Sequence, residues 1–251
     1  MTHGAPAPVP GSPAAAGYPA PTPGGPAASD GPALTGRIVI ATRNTGKLAE
    51  LARILEASGL DASLATLAEF PGAPEVAETG RTFADNALLK ARSAAAFTGL
   101  AAVADDSGLC VDALNGMPGV LSARWSGRHG DDQANLDLVL AQVSDVPAGE
   151  RGAQFVCAAA LVLPDGAERV VRGSLGGQLA RAPRGTNGFG YDPVFVPDPA
   201  EFAGVAPELA ARATPDLTTA QMAPAAKDAI SHRGRALRAL APVIAELLGG
   251  R

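Results

Sequence analysis

The chain contains few of the residues that stabilise small secreted proteins or that mark membrane proteins. Its 251 residues include two cysteines and one tryptophan, and only 4% are aromatic. Cys110 and Cys157 have apolar neighbours and cannot build a disulfide framework, which favours a reducing compartment. No apolar run approaches the roughly 18 residues that a membrane-spanning helix needs, and the first residues lack the basic cluster of a signal peptide. We therefore predict a cytoplasmic protein that does not enter a membrane.

Basic residues are also scarce. Twenty Lys and Arg residues stand against 25 Asp and Glu residues, which gives a formal net charge of −5, and no basic tract is present. Binding to a nucleic-acid backbone depends on a clustered Lys/Arg surface. The composition therefore predicts no nucleic-acid partner. It is compatible with a small anionic ligand, which needs only a few local cations and backbone donors.

Residues 1–36 differ in composition from the rest of the chain. They hold nine prolines among Ala, Gly and Ser, with almost no large apolar side chain. Such a segment buries too little apolar surface to offset the entropy of ordering. We predict a disordered tail over residues 1–36 and one folded domain over residues 37–251.

Apolar periodicity within the domain predicts alternating strands and helices. A strand is expected from Arg37 to Ala41 and a helix from Lys47 to Ser58. The spacing of Thr82 and Asp85 is that of a capping box, so a second helix should begin there and run to about Thr98 before a strand from Leu100 to Ala104.

The second half of the domain continues this alternation. Helical spacing recurs from Asn135 to Val143 and again after Ser231, a plausible cap, in a final helix. The turn signal at Pro164 to Gly166 predicts a hairpin between strands 154–163 and 168–174. The fold class is therefore α/β with a mixed sheet.

Gly46 and Lys47 lie where the first strand turns into a helix. Backbone N–H groups and the positive end of the helix dipole meet a phosphate well at such a turn. The stretch resembles a P-loop only in part, because Leu48 stands where a P-loop has the hydroxyl residue that holds magnesium. The alternative interpretation is a solvated turn with a surface lysine.

Asp105 and Asp106 follow an apolar run directly. Two adjacent carboxylates repel each other, and a divalent cation or a shifted pKa is the usual remedy. Neighbours on a strand point to opposite faces, so one of the pair should enter a given site. Mg²⁺ held by one or two carboxylates and substrate phosphates suits this pattern. The alternative is a polar strand end in which an Asp caps the next turn.

Two later motifs suit a purine base. In Gly188 to Pro193, glycines flank Phe189, so the ring can stack on a planar ligand, although an aromatic plug of the core fits equally well. In Ser231 to Arg233, a guanidinium can donate to purine O6 and N7, whereas a solvated arginine at a helix start is the alternative.

Together and in this order, these motifs resemble the inosine triphosphate pyrophosphatase family. The resemblance covers about residues 37–248 and includes the stretches Glu78 to Ala91 and Gly116 to Arg124. It implies hydrolysis of non-canonical purine nucleoside triphosphates such as ITP, dITP and XTP to the monophosphate and pyrophosphate, which cleanses the nucleotide pool. It further implies a two-lobed mixed α/β fold with an elongated mixed sheet, an active site in the cleft between the lobes, a homodimer and dependence on Mg²⁺.

The resemblance also assigns roles to individual residues. Asp106 would be the general base and would bind the metal with Glu78. The triphosphate would be bound by a set of loop, lysine and serine groups: Thr42, Arg43, Asn44, Thr45, Gly46, Lys47, Lys90 and Ser107. The base pocket would consist of Phe189, Gly190, Tyr191, Asp192, Lys227, His232 and Arg233.

Two other classes of protein share parts of this pattern. A P-loop-type NTPase would release phosphate, but it needs a hydroxyl residue at position 48. A nucleotide-binding protein without catalysis would bind ITP and release no product. The identity of the products distinguishes all three.

Overall fold

The computed structural model describes residues 36–57, 63–203 and 216–249. Within them the strands form one six-stranded sheet with the order β2-β1-β3-β4-β5-β6. The strands are β1 Arg37–Ile40, β2 Ser63–Thr66, β3 Ala101–Val111, β4 Gly152–Val162, β5 Glu168–Leu179 and β6 Phe195–Pro197. The first three pair in parallel, and β3 to β6 pair antiparallel. The predicted mixed α/β fold is confirmed. The predicted tail lies outside the described residues, apart from Gly36.

The described residues form five α-helices. They are α1 Thr45–Ala57, α2 Phe83–Thr98, α3 Asp132–Gln142, α4 Pro224–Ile230 and α5 His232–Gly249. The first begins two residues before its predicted start at Lys47, and its predicted last residue, Ser58, lies outside the described residues. None of the described helices is long and apolar enough to cross a membrane.

The start of α2 confirms the predicted capping box. The Thr82 hydroxyl accepts a hydrogen bond from the backbone N–H of Asp85 at 3.1 Å, and the Asp85 carboxylate accepts one from the N–H of Thr82 at 3.0 Å. At the other end, Gly99 ends the helix in the left-handed conformation, with φ of 69°. These caps fix where the helix begins and ends, and so they fix which of its residues face the sheet.

Apolar side chains form two lobes along the sheet. In the first lobe, α1 and α5 cover one face of β1, β3 and β4, and the alanines of α2 cover the other face. In the second lobe, the far ends of β3, β4 and β5 pack with β6, α3 and α4. The 11-residue strands β3 and β4 contribute to both lobes. These two strands therefore carry side chains into the cleft between the two lobes.

The prediction that β3 ends at Ala104 was wrong. The strand continues to Val111, so Asp105 and Asp106 lie in its middle, paired with Ala159 and Ala158 of β4. Charged residues usually end a buried strand, because each buried charge needs a partner. Here cations from other elements supply those partners, and the strand runs on through the charged pair.

The first turn of α5 packs directly on the backbone of β5. A Cβ atom at Gly173 would lie 2.1 Å from the carbonyl oxygen of His232 and 2.6 Å from the backbone nitrogen of Ala236. No side chain fits in that space. The absence of a side chain at Gly173 therefore sets how closely the start of α5, with His232 and Arg233, approaches the sheet.

We expect Gly173→Ala to lower the free energy of unfolding by about 1–3 kcal/mol, because the added methyl group overlaps backbone atoms. Urea denaturation measures the change. Gly149→Ala is the matched control, since a Cβ atom there meets nothing within 4 Å. Equal stability of the two variants would contradict the close approach of α5 to β5.

Candidate active site

One cavity of about 660 Å³ lies in the cleft, with walls from both lobes. Its volume is in the usual range for pockets that bind small molecules. All the predicted site residues line it except Thr45 and Gly46, which are the first two residues of α1. The structure therefore brings together motifs that lie up to about 190 residues apart in the sequence.

The two adjacent aspartates face opposite sides of the sheet, as their places on a strand predict. The Asp106 side chain lines the cavity beside α2. The Asp105 side chain lies on the side of α1 and α5, with its Oδ2 atom 3.4 Å from Lys47 Nζ and 3.1 Å from Arg233 Nε. Only Asp106 is therefore placed to meet a ligand.

Asp105 belongs to a buried network of charges. Arg233 forms ion pairs with Asp105 and with Glu50 of α1, and it donates from Nη2 to the Ser107 hydroxyl at 2.8 Å. Arg233, Asp105 and Glu50 are each at most 3% exposed. Burial alone would raise the pKa of Asp105, but Lys47 and Arg233 outweigh it and hold the pKa well below its ordinary value. Asp105 is therefore a permanent anion that positions two cations.

This network limits what Arg233 can offer to a base. A guanidinium has five N–H donors, and three of them are used by Asp105, Glu50 and Ser107. Arg233 lines the cavity, and one donor on each of its terminal nitrogens has no hydrogen-bond partner among the described residues. Glu50 was missed in the sequence because it resembles an ordinary exposed residue of an amphipathic helix. Its spacing of three residues from Lys47, which puts both on one side of α1, is the signal that could have found it.

A second cluster of charges faces the cavity from α2, β3 and the loop before α2. Lys90 Nζ lies 2.7 Å from Glu78 Oε1 and 3.5 Å from Asp106 Oδ1. Asn86, which is fully buried, donates to Asp106 Oδ2 at 2.9 Å and accepts from the N–H of Gly80 at 2.7 Å. Asn86 thus fixes both the carboxylate of Asp106 and the turn that follows Glu78.

The carboxylates of this cluster have pKa values shifted in opposite directions. Burial raises the pKa of Asp106, and the Glu78 carboxylate adds to this, against the opposing effect of Lys90 and Lys47. Burial would also raise the pKa of Glu78, but there Lys90, Lys47 and Arg124 outweigh it and lower the pKa. The two carboxylates of one cluster therefore have different electrostatic surroundings, and those of Asp106 favour uptake of a proton more than they would for a free aspartate.

Arg124 contacts this cluster but received no role from the sequence. It donates from Nη2 to the backbone carbonyl of Glu78 at 3.1 Å, and its Nη1 lies 3.4 Å from Glu78 Oε2. Its side chain is 31% exposed and lines the cavity. The motif Gly116 to Arg124 contained the signal, since an arginine at the end of a glycine-rich turn is free to reach across a cleft.

The acidic groups fit a metal ion only together with a ligand. No group of three His, Cys, Asp or Glu side chains with metal-binding geometry exists among residues 36–57, 63–203 and 216–249. Glu78 and Asp106 nevertheless contact the same ammonium group and face the same cavity. Mg²⁺ is commonly bound by one or two carboxylates plus substrate phosphates. The pair fits an ion of that kind and not an all-protein cage.

The loop before α1 is arranged as a helix start with free donors. The Asn44 side chain accepts from the N–H of Lys47 at 2.9 Å, and the Thr42 hydroxyl accepts from the N–H of Asn44 at 3.2 Å. Among the described residues, no hydrogen-bond partner is found for the N–H groups of Thr45 and Gly46. These two donors, with Lys47 beside them, suit a phosphate at the positive end of the helix.

The loop from Gly188 to Asp192 also lines the cavity, and its Phe189 ring lies against the start of α1, since a Cβ atom at Gly46 would be 3.2 Å from Phe189 Cδ1. Asp192 Oδ2 accepts from the N–H of Phe189 at 2.9 Å and from Lys227 Nζ at 2.5 Å. Lys227 Nζ and Arg233 Cζ lie 5.4 and 5.7 Å from the centroid of the Phe189 ring. Two cations and an aromatic ring therefore line one end of the cavity.

The remaining members of the predicted base pocket are anchored to their surroundings. The Tyr191 hydroxyl donates to the carbonyl of Ser122 at 2.9 Å and is buried, so its side chain supports the loop from behind. The N–H of Gly190 donates to Asp132 at 2.8 Å. The His232 ring stacks on Phe155 at 4.9 Å and has no partner at Nδ1 within the described residues. Burial, with Arg233 and Lys227 nearby, lowers its pKa, so His232 is neutral.

These features define a mixed α/β protein with a cleft lined by a helix start, a lysine–carboxylate cluster and an aromatic loop, a set of groups that suits a phosphorylated ligand. Residues 38–243 match the model of the Ham1 family, and the chain belongs to this family.

Curated relatives and solved structures agree with this membership. The chain is 57% identical over 213 residues to a Streptomyces coelicolor protein named dITP/XTP pyrophosphatase, an alignment that covers 85% of this chain and 99% of the relative. A Mycobacterium abscessus crystal structure described as a nucleoside-triphosphatase / dITP/XTP pyrophosphatase is 56% identical, with a TM-score of 0.63 over 82% of this chain and 99% of the other. A HAM1 protein from Coxiella burnetii is 40% identical, with a TM-score of 0.69 over 84% and 98% of the two chains.

We expect the two adjacent aspartates to respond differently to the same substitution. Asp105→Asn should lower the free energy of unfolding by about 3–5 kcal/mol, because it leaves buried cations without their counterion. Asp106→Asn should change it by less than about 1 kcal/mol, since the side chain faces the cavity and its contact with Asn86 can be kept. Denaturant titration of both variants measures the difference. Similar losses would show that Asp105 is not the buried anchor.

Proposed function

We propose that this chain hydrolyses non-canonical purine nucleoside triphosphates, namely ITP, dITP and XTP, to the nucleoside monophosphate and pyrophosphate. The names of its relatives, which are 55–57% identical over most of the chain, support this activity. The observation that carries it is the lysine–carboxylate cluster of Glu78, Lys90 and Asp106, which faces the same cavity as the helix start and the aromatic loop. The corresponding role is to remove non-canonical nucleoside triphosphates from the nucleotide pool.

The triphosphate would lie between the start of α1 and Lys90. The free N–H groups of Thr45 and Gly46, with the Lys47 ammonium, would bind one end of the phosphate chain. The acidic groups around Lys90 raise its pKa, although burial opposes them, so Lys90 stays protonated. Thr42, Arg43, Asn44 and Ser107 line the same wall and complete the predicted phosphate set.

Asp106 would act as the general base. Its Oδ2 atom is held by Asn86, so Oδ1, which faces Lys90, is the oxygen left to accept a proton from water. The water attacks the α-phosphorus, and pyrophosphate leaves. Glu78 and Asp106 would hold Mg²⁺ together with the phosphates, and the ion, when bound, supplies neutralising charge to the non-bridging and leaving oxygens. Lys47, Lys90 and Arg124 add positive charge from the protein side.

The base would lie beside the loop from Gly188 to Asp192. Phe189 offers a ring face for stacking, Lys227 and Arg233 can donate to the O6 atom of hypoxanthine or xanthine, and neutral His232 has a free ring nitrogen. Adenine has an amino group at position 6 and cannot accept there. Gly190, Tyr191 and Asp192 would shape the wall of this pocket. The pocket should therefore favour hypoxanthine and xanthine over adenine.

The remaining parts of the proposal concern assembly and location. A homodimer follows from the family resemblance. A cytoplasmic location is supported by the low cysteine content and by the lack of a membrane-spanning helix in the described residues. The acidic composition supports small nucleotides, and not nucleic acids, as the partners.

The products test the proposed reaction. With dITP and Mg²⁺, we expect dIMP and pyrophosphate in equal amounts, and Asp106→Asn should lower turnover by about 100-fold or more because the general base is lost. Chromatography of the nucleotides and a pyrophosphate assay measure both. Diphosphate plus phosphate would favour a P-loop-type NTPase. Binding without any product would favour a nucleotide-binding protein.

Glu78→Gln tests the metal-binding role. We expect the Mg²⁺ concentration for half-maximal turnover to rise by about tenfold or more, because one of two carboxylate ligands is lost. Glu75→Gln is the matched control, since Glu75 lies on the same loop and lines the same cavity but is exposed. If both variants titrate like the parent, the metal is bound by other groups.

A further inference from the structure

Thr219 lies behind Asp192, on the side away from the cavity. It begins a short 3₁₀ turn, Thr219–Gln221, and it is fully buried. Its Oγ1 atom lies 2.7 Å from Asp192 Oδ1 and 3.1 Å from the carbonyl oxygen of Asp192. A threonine hydroxyl has one proton to donate, and the charged and closer carboxylate oxygen is the better acceptor.

The Asp192 carboxylate is therefore held from two sides. Thr219 occupies Oδ1, while the N–H of Phe189 and the Lys227 ammonium occupy Oδ2. These two cavity-side groups belong to the proposed base pocket, so the orientation of the carboxylate determines where they lie. Thr219 does not line the cavity, and it reaches the pocket only through Asp192.

The segment that carries Thr219 is fixed to residues 184–187, which directly precede the loop from Gly188 to Asp192. Asn187 donates from its backbone to the carbonyl of Ala220 at 3.0 Å and from its side chain to the carbonyl of Met222 at 3.0 Å. The Thr218 hydroxyl donates to the carbonyl of Arg184 at 2.7 Å. A Cβ atom at Gly185 would lie 2.5 Å from the carbonyl oxygen of Ala220, so the two segments are in direct backbone contact. Thr219 is thus held in place independently of its bond to Asp192.

We propose that Thr219 is a positioning residue for base selection. This inference rests on the proposed function, since it assigns Thr219 to the base end of the same site. Without the hydroxyl, Asp192 Oδ1 is buried with no donor, and the carboxylate turns to find one. Lys227 and the Phe189 backbone then lose their fixed acceptor. The lysine–carboxylate cluster of Glu78, Lys90 and Asp106 lies on other elements and keeps its contacts.

Loss of the Thr219 hydroxyl should therefore weaken binding of the base and leave binding of the phosphates unchanged. A 6-oxo purine accepts a hydrogen bond at position 6, whereas adenine offers an amino group there, so a displaced Lys227 costs the 6-oxo purine a contact that adenine never makes. The preference for dITP over dATP should fall. Hydrolysis of the nucleotide that remains bound should be affected much less.

Thr219→Val tests the inference, because valine has the same shape and lacks the hydroxyl. Binding of dITP and of dATP is measured by calorimetry without divalent metal, and turnover of both is measured with Mg²⁺. We expect the ratio of the two dissociation constants to move toward unity by about tenfold, with a matching fall in the ratio of kcat/KM values. Thr219→Ser, which keeps the hydroxyl, should restore the parent ratio.

Thr218→Val is the matched control. Thr218 is the preceding residue and is equally buried, but its hydroxyl donates to the carbonyl of Arg184 and has no contact with Asp192. Without that hydroxyl, the two hydrogen bonds from Asn187 still hold the segment in place. We expect this variant to keep the parent ratio within about twofold while it lowers the melting temperature about as much as Thr219→Val does. An equal fall of the ratio in both variants would reduce Thr219 to a structural role and overturn the inference.

Other outcomes separate the inference from the proposed function. An unchanged binding ratio in folded Thr219→Val overturns the inference alone, and Thr219→Ala replaces it if valine prevents folding. A parent protein that binds dITP in preference to dATP but makes no pyrophosphate contradicts the proposed function, while the binding ratios still decide the role of Thr219. A parent without any preference between the two nucleotides overturns the inference directly.

Discussion

The site depends on the alternation of two adjacent carboxylates across one strand. Because Asp105 and Asp106 point to opposite faces of β3, they have different surroundings although they are neighbours in the chain. Asp105 lies among cations and stays ionised, whereas burial raises the pKa of Asp106. One position therefore supplies a fixed negative charge inside the protein, the next presents a carboxylate to the cavity, and the other elements of the cleft are arranged around this division.

The buried charges around Asp105 are better understood as a device for geometry than as a source of stability. The cost of removing such ions from water often matches their attraction, so a buried ion pair is weak evidence for a stabilising role. What the network does is place specific atoms. Glu50 and Asp105 fix the guanidinium of Arg233, and Arg233 in turn holds the hydroxyl of Ser107 at the cavity wall. The close contact at Gly173 sets the distance at which this happens.

Local signals predicted the parts of the structure that local interactions determine. The capping box at Thr82, the apolar stripe of α1 and the hairpin of β4 and β5 follow from spacing alone, and all but two of the residues that the ordered motifs single out line the cavity. The strand through Asp105 was cut short because its partner Arg233 is 128 residues away. Glu50 and Thr219 were missed for the same physical reason, since a helix surface and a polar turn gain their roles only from tertiary contacts.

The same network links the start of α1 to the aromatic loop from Gly188 to Asp192. Asp105 is the shared counterion of Lys47, in the first turn of α1, and of Arg233, which lies beside Phe189. In a buried and weakly screened environment, a shift of either cation changes the field felt by the other. The loop from Gly188 to Asp192 is held on the side away from the cavity by the hydrogen bond from Thr219 to Asp192. Phe189 is therefore linked to the start of α1 in two ways: directly, because its ring lies against Gly46, and indirectly, because Arg233 beside it shares the Asp105 carboxylate with Lys47.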